Sequence, residues 1–154
     1  DGEVCIRGDN VTNGYENNEE ANKTAFINGW FRTGDQGHFD NEGYLKISGR
    51  LKEIINRGGE KVSPLEVDNT LMEHKAVEQV VTFAVKDNLL GEAIGVAIVL
   101  KSGIDCTETD IKNYARKHLA DFKIPKYIRF LEEIPKGATG KLQRIGLAEK
   151  LGLE

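Results

Sequence analysis

The apolar positions along the chain change their period several times, and each change marks an element. GEVCIRG, starting at Gly2, and the stretch from Trp30 to Leu45 read as short strands broken by Gly and Asp turns. Between them, NNEEANKTAF places an Asn where a helix would be capped and acidic residues in its first turn, which predicts a short helix. GYLKISGR sets Tyr44 and Lys46 against Leu45 and Ile47, the alternation of a further strand. KEIINRGGEKV predicts a hairpin: a short apolar strand, a turn at Gly58-Gly59, and a return through Val62.

The pattern then becomes mixed. SPLEVDNTLMEH predicts a helix with Ser63 as cap, Pro64 at the first helical position and Glu66 completing a capping box. VEQVVTFAVK and AIGVAIVLK flank a turn at Asp87-Asn88 and predict two strands; the second is apolar on both faces and therefore belongs at a sheet centre. TETDIKNYARKHLA opens with Thr107 and Asp110 and then places Ile111, Tyr114, Ala115, His118 and Leu119 on one helical face. YIRFLEEIP is a further strand, with Ile128 and Phe130 on one side and Arg129 and Leu131 on the other, and RIGLAEKLG a short terminal helix. The expected class is α+β, with a small mixed β-sheet and packed helices over residues 50–154. Residues 1–49 are mostly strand and turn, too poor in helix and apolar length for an independent domain. The boundary is expected near Ser48 to Lys52, where SGRLK joins the two patterns.

Composition narrows the class of protein. The chain has 154 residues, enough for one ordinary domain or two small units, with 39% hydrophobic and 30% charged residues, a globular balance. A formal charge of −4 announces no basic nucleic-acid-binding surface. The longest apolar run, Ala93 to Leu100 around one glycine, is strand-sized, so no membrane span is expected. DGEVCIRGD is polar where a secretory leader would be apolar. Cys5 and Cys106 are far apart and unpatterned, which suggests neither zinc nor a disulfide framework but reduced thiols in an intracellular protein. Seventeen glycines against three prolines favour many tight connections.

Three stretches could carry chemistry. PKGATGKLQR, from Pro135 to Arg144, looks like a phosphate-binding loop, but Gly137 and Gly140 are separated by two residues instead of the interval that a triphosphate cradle needs, and Leu142 follows Lys141. What survives is a glycine-bearing loop able to bring one ammonium against an anion; for a random GxxGK, a solvated basic turn is the preferred reading. RTGDQG, from Arg32 to Gly37, holds an aspartate that in isolation reads as a turn residue, with a ribose-binding carboxylate as the functional alternative. GRLKEIINRGGEKVSPLEVD mixes cations and glycines on a hairpin, usually a solvated edge. His38, His74 and His118 lack metal-ligand or catalytic spacing, His118 reading as packing, Ser63 as a cap and Trp30 as core.

In combination and order these stretches are specific. DGEVCIRGDNVTNGY, GWFRTGDQGHFDNEGYLKISGR, LKEIINRGGEKVSPLEVD and IPKYIRFLEEIPKGATGKLQR closely resemble the C-terminal third of the AMP-forming acyl-CoA synthetases, whose superfamily includes the adenylation domains of nonribosomal peptide synthetases and the beetle luciferases. The resemblance runs from Gly2 to about Leu151. It implies two half-reactions: a carboxylate attacks the α-phosphate of ATP to give acyl-adenylate and pyrophosphate, and a thiol, usually of coenzyme A, then displaces AMP. It also implies a strand-rich end of the large AMP-binding domain over residues 1–49 and a small swivelling domain over residues 50–154.

The resemblance assigns roles position by position. Asp35 would bind the ribose hydroxyls of the adenylate, with Arg50 beside the same ribose, and Lys52 falls at the hinge. Gly58 and Gly59 would sit on the hairpin that faces the active site during thioester formation, letting the pantetheine arm pass close to the backbone, with Glu60 and Lys61 near that path. Lys141 matches the lysine on which adenylation depends, an ammonium between the carboxylate and the α-phosphate. The family's loop reads closer to Pro-Lys-Thr-x-Ser-Gly-Lys; here Gly137 replaces the threonine, and Thr139 keeps a hydroxyl in place of the serine.

The family's phosphate loop and acyl pocket belong upstream of Asp1. The chain is therefore expected to be part of an enzyme and inactive alone, its partners being a carboxylic acid, ATP, coenzyme A and its own N-terminal domain. Mg2+ would be bound mainly by that domain, no metal by this chain. An adenylation domain loading a carrier protein, and a non-catalytic binding or regulatory module of the same fold, are the alternatives. The expected compartment is the cytoplasm, with the peroxisome as the second.

Overall fold

Turn chemistry sets the architecture from the first strands onward. The computed structural model describes residues 1–137 and 140–153. The chain divides into two compact units, Asp1–Lys52 and Glu53–Glu154.

In the first unit, β1 (Gly2–Ile6), α1 (Glu19–Ala25), β2 (Phe26–Ile27), β3 (Trp30–Phe39) and β4 (Leu45–Arg50) follow in sequence. Asn18 caps α1, its side-chain oxygen accepting from the Ala21 N–H at 3.1 Å. β2 and β3 are joined through Asn28 and Gly29, whose φ values of 51° and 77° are those of a two-residue hairpin turn. β3 is the spine, pairing antiparallel with β1, β2 and β4. Trp30, expected in a core, is 42% exposed, and the Arg7 guanidinium lies 4.8 Å from its ring centroid. It starts β3 opposite Ile27, itself exposed.

The second unit contains β5 (Ile55–Arg57), β6 (Glu60–Val62), α2 (Pro64–Met72), β7 (Val77–Asp87), β8 (Gly91–Leu100), α3 (Glu108–His118), β9 (Tyr127–Phe130) and α4 (Leu147–Lys150). The sheet order is β6-β5-β8-β7, with β9 parallel to β8, a mixed sheet as expected. β8 is central, paired with β7 along one edge and with β5 and β9 along the other, and both its faces are covered. Ile94, Val96 and Ile98 face Val67 and Leu71 of α2 and Ile111 and Ala115 of α3; Ala97 and Val99 face Ile134 and Leu147. Phe83 of β7 stands opposite Gly95, where a Cβ would come within 2.7 Å of its ring, so the glycine makes room for the aromatic.

Two capping expectations part company here. Thr107 and Asp110 form a full capping box at α3, the Asp110 carboxylate accepting from the Thr107 N–H at 3.0 Å. Ser63 holds the cap position of α2 but makes no side-chain cap hydrogen bond, and Glu66 does not close a box. Glu66 instead accepts from Lys123 Nζ at 2.6 and 2.8 Å, because the 3₁₀ turn Asp121–Lys123 brings that ammonium to it. His118 is exposed rather than inside, stacked on Tyr114 at 4.4 Å between centroids. No helix among the described residues is long and apolar enough to cross a membrane.

Candidate functional site

Asp35 does not lie in a turn between strands. It sits inside β3, at a bulge where Thr33, Gly34 and Asp35 together oppose Val4 of β1: Glu3 pairs with Gln36, and Cys5 with Arg32. Gly34 takes φ 73°, which a side chain would strain. Thr33 Oγ1 fastens the bulge, donating to the Val4 carbonyl at 2.8 Å and accepting from the Asp35 N–H at 3.0 Å. The bulge turns the Asp35 carboxylate towards β4, where Arg50 is its cross-strand partner, and Arg50 Nε donates to Oδ1 at 2.9 Å. The structure thus brings Asp35 and Arg50 together. Among the described residues Oδ2 makes no hydrogen bond, so this carboxylate retains acceptor capacity for a pair of hydroxyls.

The Gly58-Gly59 hairpin forms as expected, with Arg57 opposite Glu60 and φ values of 60° and 92° at the two glycines. Its tip is tied to the neighbouring turn: the Gly58 N–H donates to the Leu90 carbonyl at 2.8 Å, and the Asn56 N–H to Glu92 Oε2 at 2.6 Å. A Cβ on Gly58 would meet Leu90 Cδ2 at 3.0 Å, a tight contact, and the positive φ of Gly58 is the stronger reason for glycine there. Glu60 and Lys61 are exposed on β6. Asp87 opens the adjoining turn, accepting from the Leu89 and Leu90 N–H groups at 3.0 Å and from Lys126 Nζ at 2.6 Å. Those donors, Lys126 first, hold its carboxyl down to about 2.

Lys52 lies in the 3₁₀ turn Leu51–Glu53, exposed, at the last position of the first unit. Lys141 is also exposed, on a loop whose neck is closed. Lys136 and Leu142 form an antiparallel bridge, and the Gly137 N–H donates to the Lys141 carbonyl at 2.9 Å. Gly140 adopts φ 74°. A Cβ on Gly137 would come within 2.4 Å of the Gln143 side chain, which is exposed and flexible enough to turn aside. Thr139 lies outside the described residues.

Sequence reasoning missed Arg144. Its Nε donates to Glu53 Oε2 at 3.0 Å, and its Nη1 donates to the Thr82 carbonyl at 3.1 Å and forms an ion pair with Asp68 Oδ2 at 2.6 Å. Asp68 is buried on α2 beside Val67 and Leu71, and its Oδ1 accepts from the Thr82 N–H at 2.7 Å. Burial pushes the Asp68 carboxyl up, and Arg144 opposes that shift. The available signal was Asp68 itself, an acid on the apolar face of a helix, which requires a partner. Among the described residues no three His, Cys, Asp or Glu side chains stand together as a metal site.

Residues 66–141 match the model of the AMP-binding enzyme C-terminal domain. That segment belongs to this family. The AMP-binding enzyme C-terminal domain falls wholly within the second unit, and its match ends on Lys141. The chain is 55% identical over 143 residues to an oxalate–CoA ligase of Arabidopsis thaliana, covering 93% of this chain and 28% of that protein. It is 51% identical over 150 residues to an oxalate–CoA ligase of Saccharomyces cerevisiae, covering 96% and 28%. Among solved structures, the o-succinylbenzoate CoA synthetase of Bacillus subtilis, in complex with an acyl-adenylate intermediate, superposes with a TM-score of 0.85 at 36% identity, covering 93% of this chain and 29% of that one. The chain therefore spans little more than a quarter of the length of these curated relatives.

Proposed function

We propose that this chain is the C-terminal part of an AMP-forming acid–CoA ligase, comprising the end of the large AMP-binding domain and the small domain that swivels on Lys52. In the first half-reaction a carboxylate oxygen attacks the α-phosphorus of ATP, and the bond to pyrophosphate breaks. Two anions meet in that step, and the Lys141 ammonium neutralises the charge that gathers between them. One such preorganised donor lowers a barrier by about 3 kcal/mol. Asp35 accepts the ribose hydroxyls, held in place by Arg50 and the bulge. In the second half-reaction the coenzyme A sulfur attacks the acyl carbon, AMP leaves with the carboxylate oxygen, and the thiol proton passes to water. The Gly58-Gly59 hairpin lies along the thiol's path. Mg2+ accompanies the nucleotide in the longer protein and takes no ligand from this chain, which alone forms no acyl-adenylate.

The observation that carries this reading is an exposed lysine on a loop with a closed neck, in a chain more than half identical to two CoA ligases over 93% and 96% of its length. Both of those relatives are named for oxalate, so a small dicarboxylate heads the candidate acids. The test is pyrophosphate release by the full-length protein with ATP, coenzyme A and a panel of acids that includes oxalate. Acid-dependent release is expected; none with any acid defeats the proposal.

A further inference from the structure

Closing a loop's neck does not aim it. Ile134 before the Lys141 loop and Leu147 after it are both buried, in one cluster with Val81, Phe83 and Val85. These apolar anchors fix where the segment leaves and rejoins the second unit, but apolar contact is non-directional and does not by itself set the direction of Lys141. Arg144 supplies the direction. Its guanidinium is met by acceptors from three places: Glu53, the first residue of the unit; Asp68 on α2; and the Thr82 carbonyl on β7. A planar cation with donors in a fixed fork, held from three sides, fixes its own backbone three residues from Lys141; a lysine ammonium, round and freely rotating, would not.

The acceptors are prepared for it. β7 ends the sheet order, so Thr82 turns unpaired backbone groups outward; Asp68 takes the N–H and Arg144 the carbonyl. The Arg144 side chain is 19% exposed and that of Asp68 10%. Simple stability is a poor reason for such an arrangement, because buried ion pairs are often replaceable by apolar side chains at little cost. Its geometry gives a better reason. Glu53 follows Lys52 directly, within one 3₁₀ turn, so the same guanidinium grips the residue next to the hinge and the neck of the lysine loop.

We propose that Arg144 is the positioning residue for Lys141: it locks the loop to Glu53, so that rotation at Lys52 carries the ammonium as part of one rigid body. This rests on the reading of Lys141 as the cation of adenylation. Arg144 touches no reactant and acts only through where it holds the loop.

The experiment uses the full-length protein with Arg144→Lys, Glu53→Gln, Lys141→Ala and the double variant Arg144→Lys/Lys141→Ala. Melting temperature, pyrophosphate release, and thioester formation from preformed acyl-adenylate are measured for each. Arg144→Lys keeps the charge and loses the fork; it is expected to lower kcat for pyrophosphate release by roughly 10- to 100-fold, the penalty of a misplacement of about 1 Å. The KM for ATP and the thioester step should stay near wild type. Glu53→Gln, which keeps shape and leaves the other two acceptors, should give a smaller loss in the same half-reaction and remains informative if Arg144→Lys folds poorly. In the Lys141→Ala background, Arg144→Lys should add nothing, as expected of residues acting in series. A wild-type adenylation rate in Arg144→Lys, beside a disabled Lys141→Ala, overturns the positioning role alone. Losses shared equally by both half-reactions, or additive in the double variant, overturn it too. A wild-type rate in Lys141→Ala overturns the underlying reading first.

Discussion

The two units use the same local vocabulary, short strands and glycine turns, but hold their functional residues by different means. The second unit buries apolar side chains on both faces of β8 and ties Lys141's loop to that core through Ile134, Leu147 and Arg144. In the first unit Trp30, Phe39, Tyr44, Leu45 and Ile47 are all exposed, and Asp35 is aimed by a backbone bulge and one ion pair to Arg50. The difference teaches that a side chain can be directed without a core, provided hydrogen bonds fix the backbone beneath it. It also marks the first unit as a sheet whose apolar positions fit a covering layer, which the proposed large domain would supply.

The contrast is open to direct attack by substitution. Phe83→Ala empties the space over Gly95 in the second unit and should cost about 3–5 kcal/mol in denaturant titration of this chain. Phe39→Ala, at 72% exposure, should change stability by no more than about 0.5 kcal/mol. Equal costs would break the comparison. A smaller effect separates the polar anchors. Asp87 ionises at about 2 in the folded chain, held there by Lys126 and the Leu89 and Leu90 N–H groups, against roughly 4 for a free aspartate. A depressed folded value means that its stabilisation is present above about pH 4 and is lost as the pH falls towards 2. Between those values the wild-type chain should therefore lose more stability than Asp87→Asn, as followed by denaturation at several pH values. Identical acid slopes would show that the Asp87 contacts do not contribute.

Much of this was legible in the sequence where the signal is local or strongly apolar. The two-faced run AIGVAIVL announced a central strand because only a doubly covered strand can be apolar throughout. Gly58-Gly59 announced its turn, and Thr107 with Asp110 its cap, because partners within a few residues suffice for both. What failed depended on distant chain. The bulge that places Asp35 exists only against Val4, and Arg144 meets acceptors at Glu53, Asp68 and Thr82 that no spacing rule connects. Glu66 had every local reason to cap α2 and was drawn away by Lys123. Trp30 looked like core because a tryptophan usually buries its area, yet it lies exposed at the start of β3 with the Arg7 guanidinium over its ring.

The central claim, that this chain delivers the Lys141 ammonium to the first of two half-reactions, is tested most directly by resolving those halves in the full-length protein. Lys141→Ala should slow pyrophosphate release by about 10²–10³-fold, the usual effect of deleting one preorganised donor. Thioester formation from preformed acyl-adenylate should stay close to wild type in the same variant. Equal loss of both rates, or no loss of the first, would contradict the account.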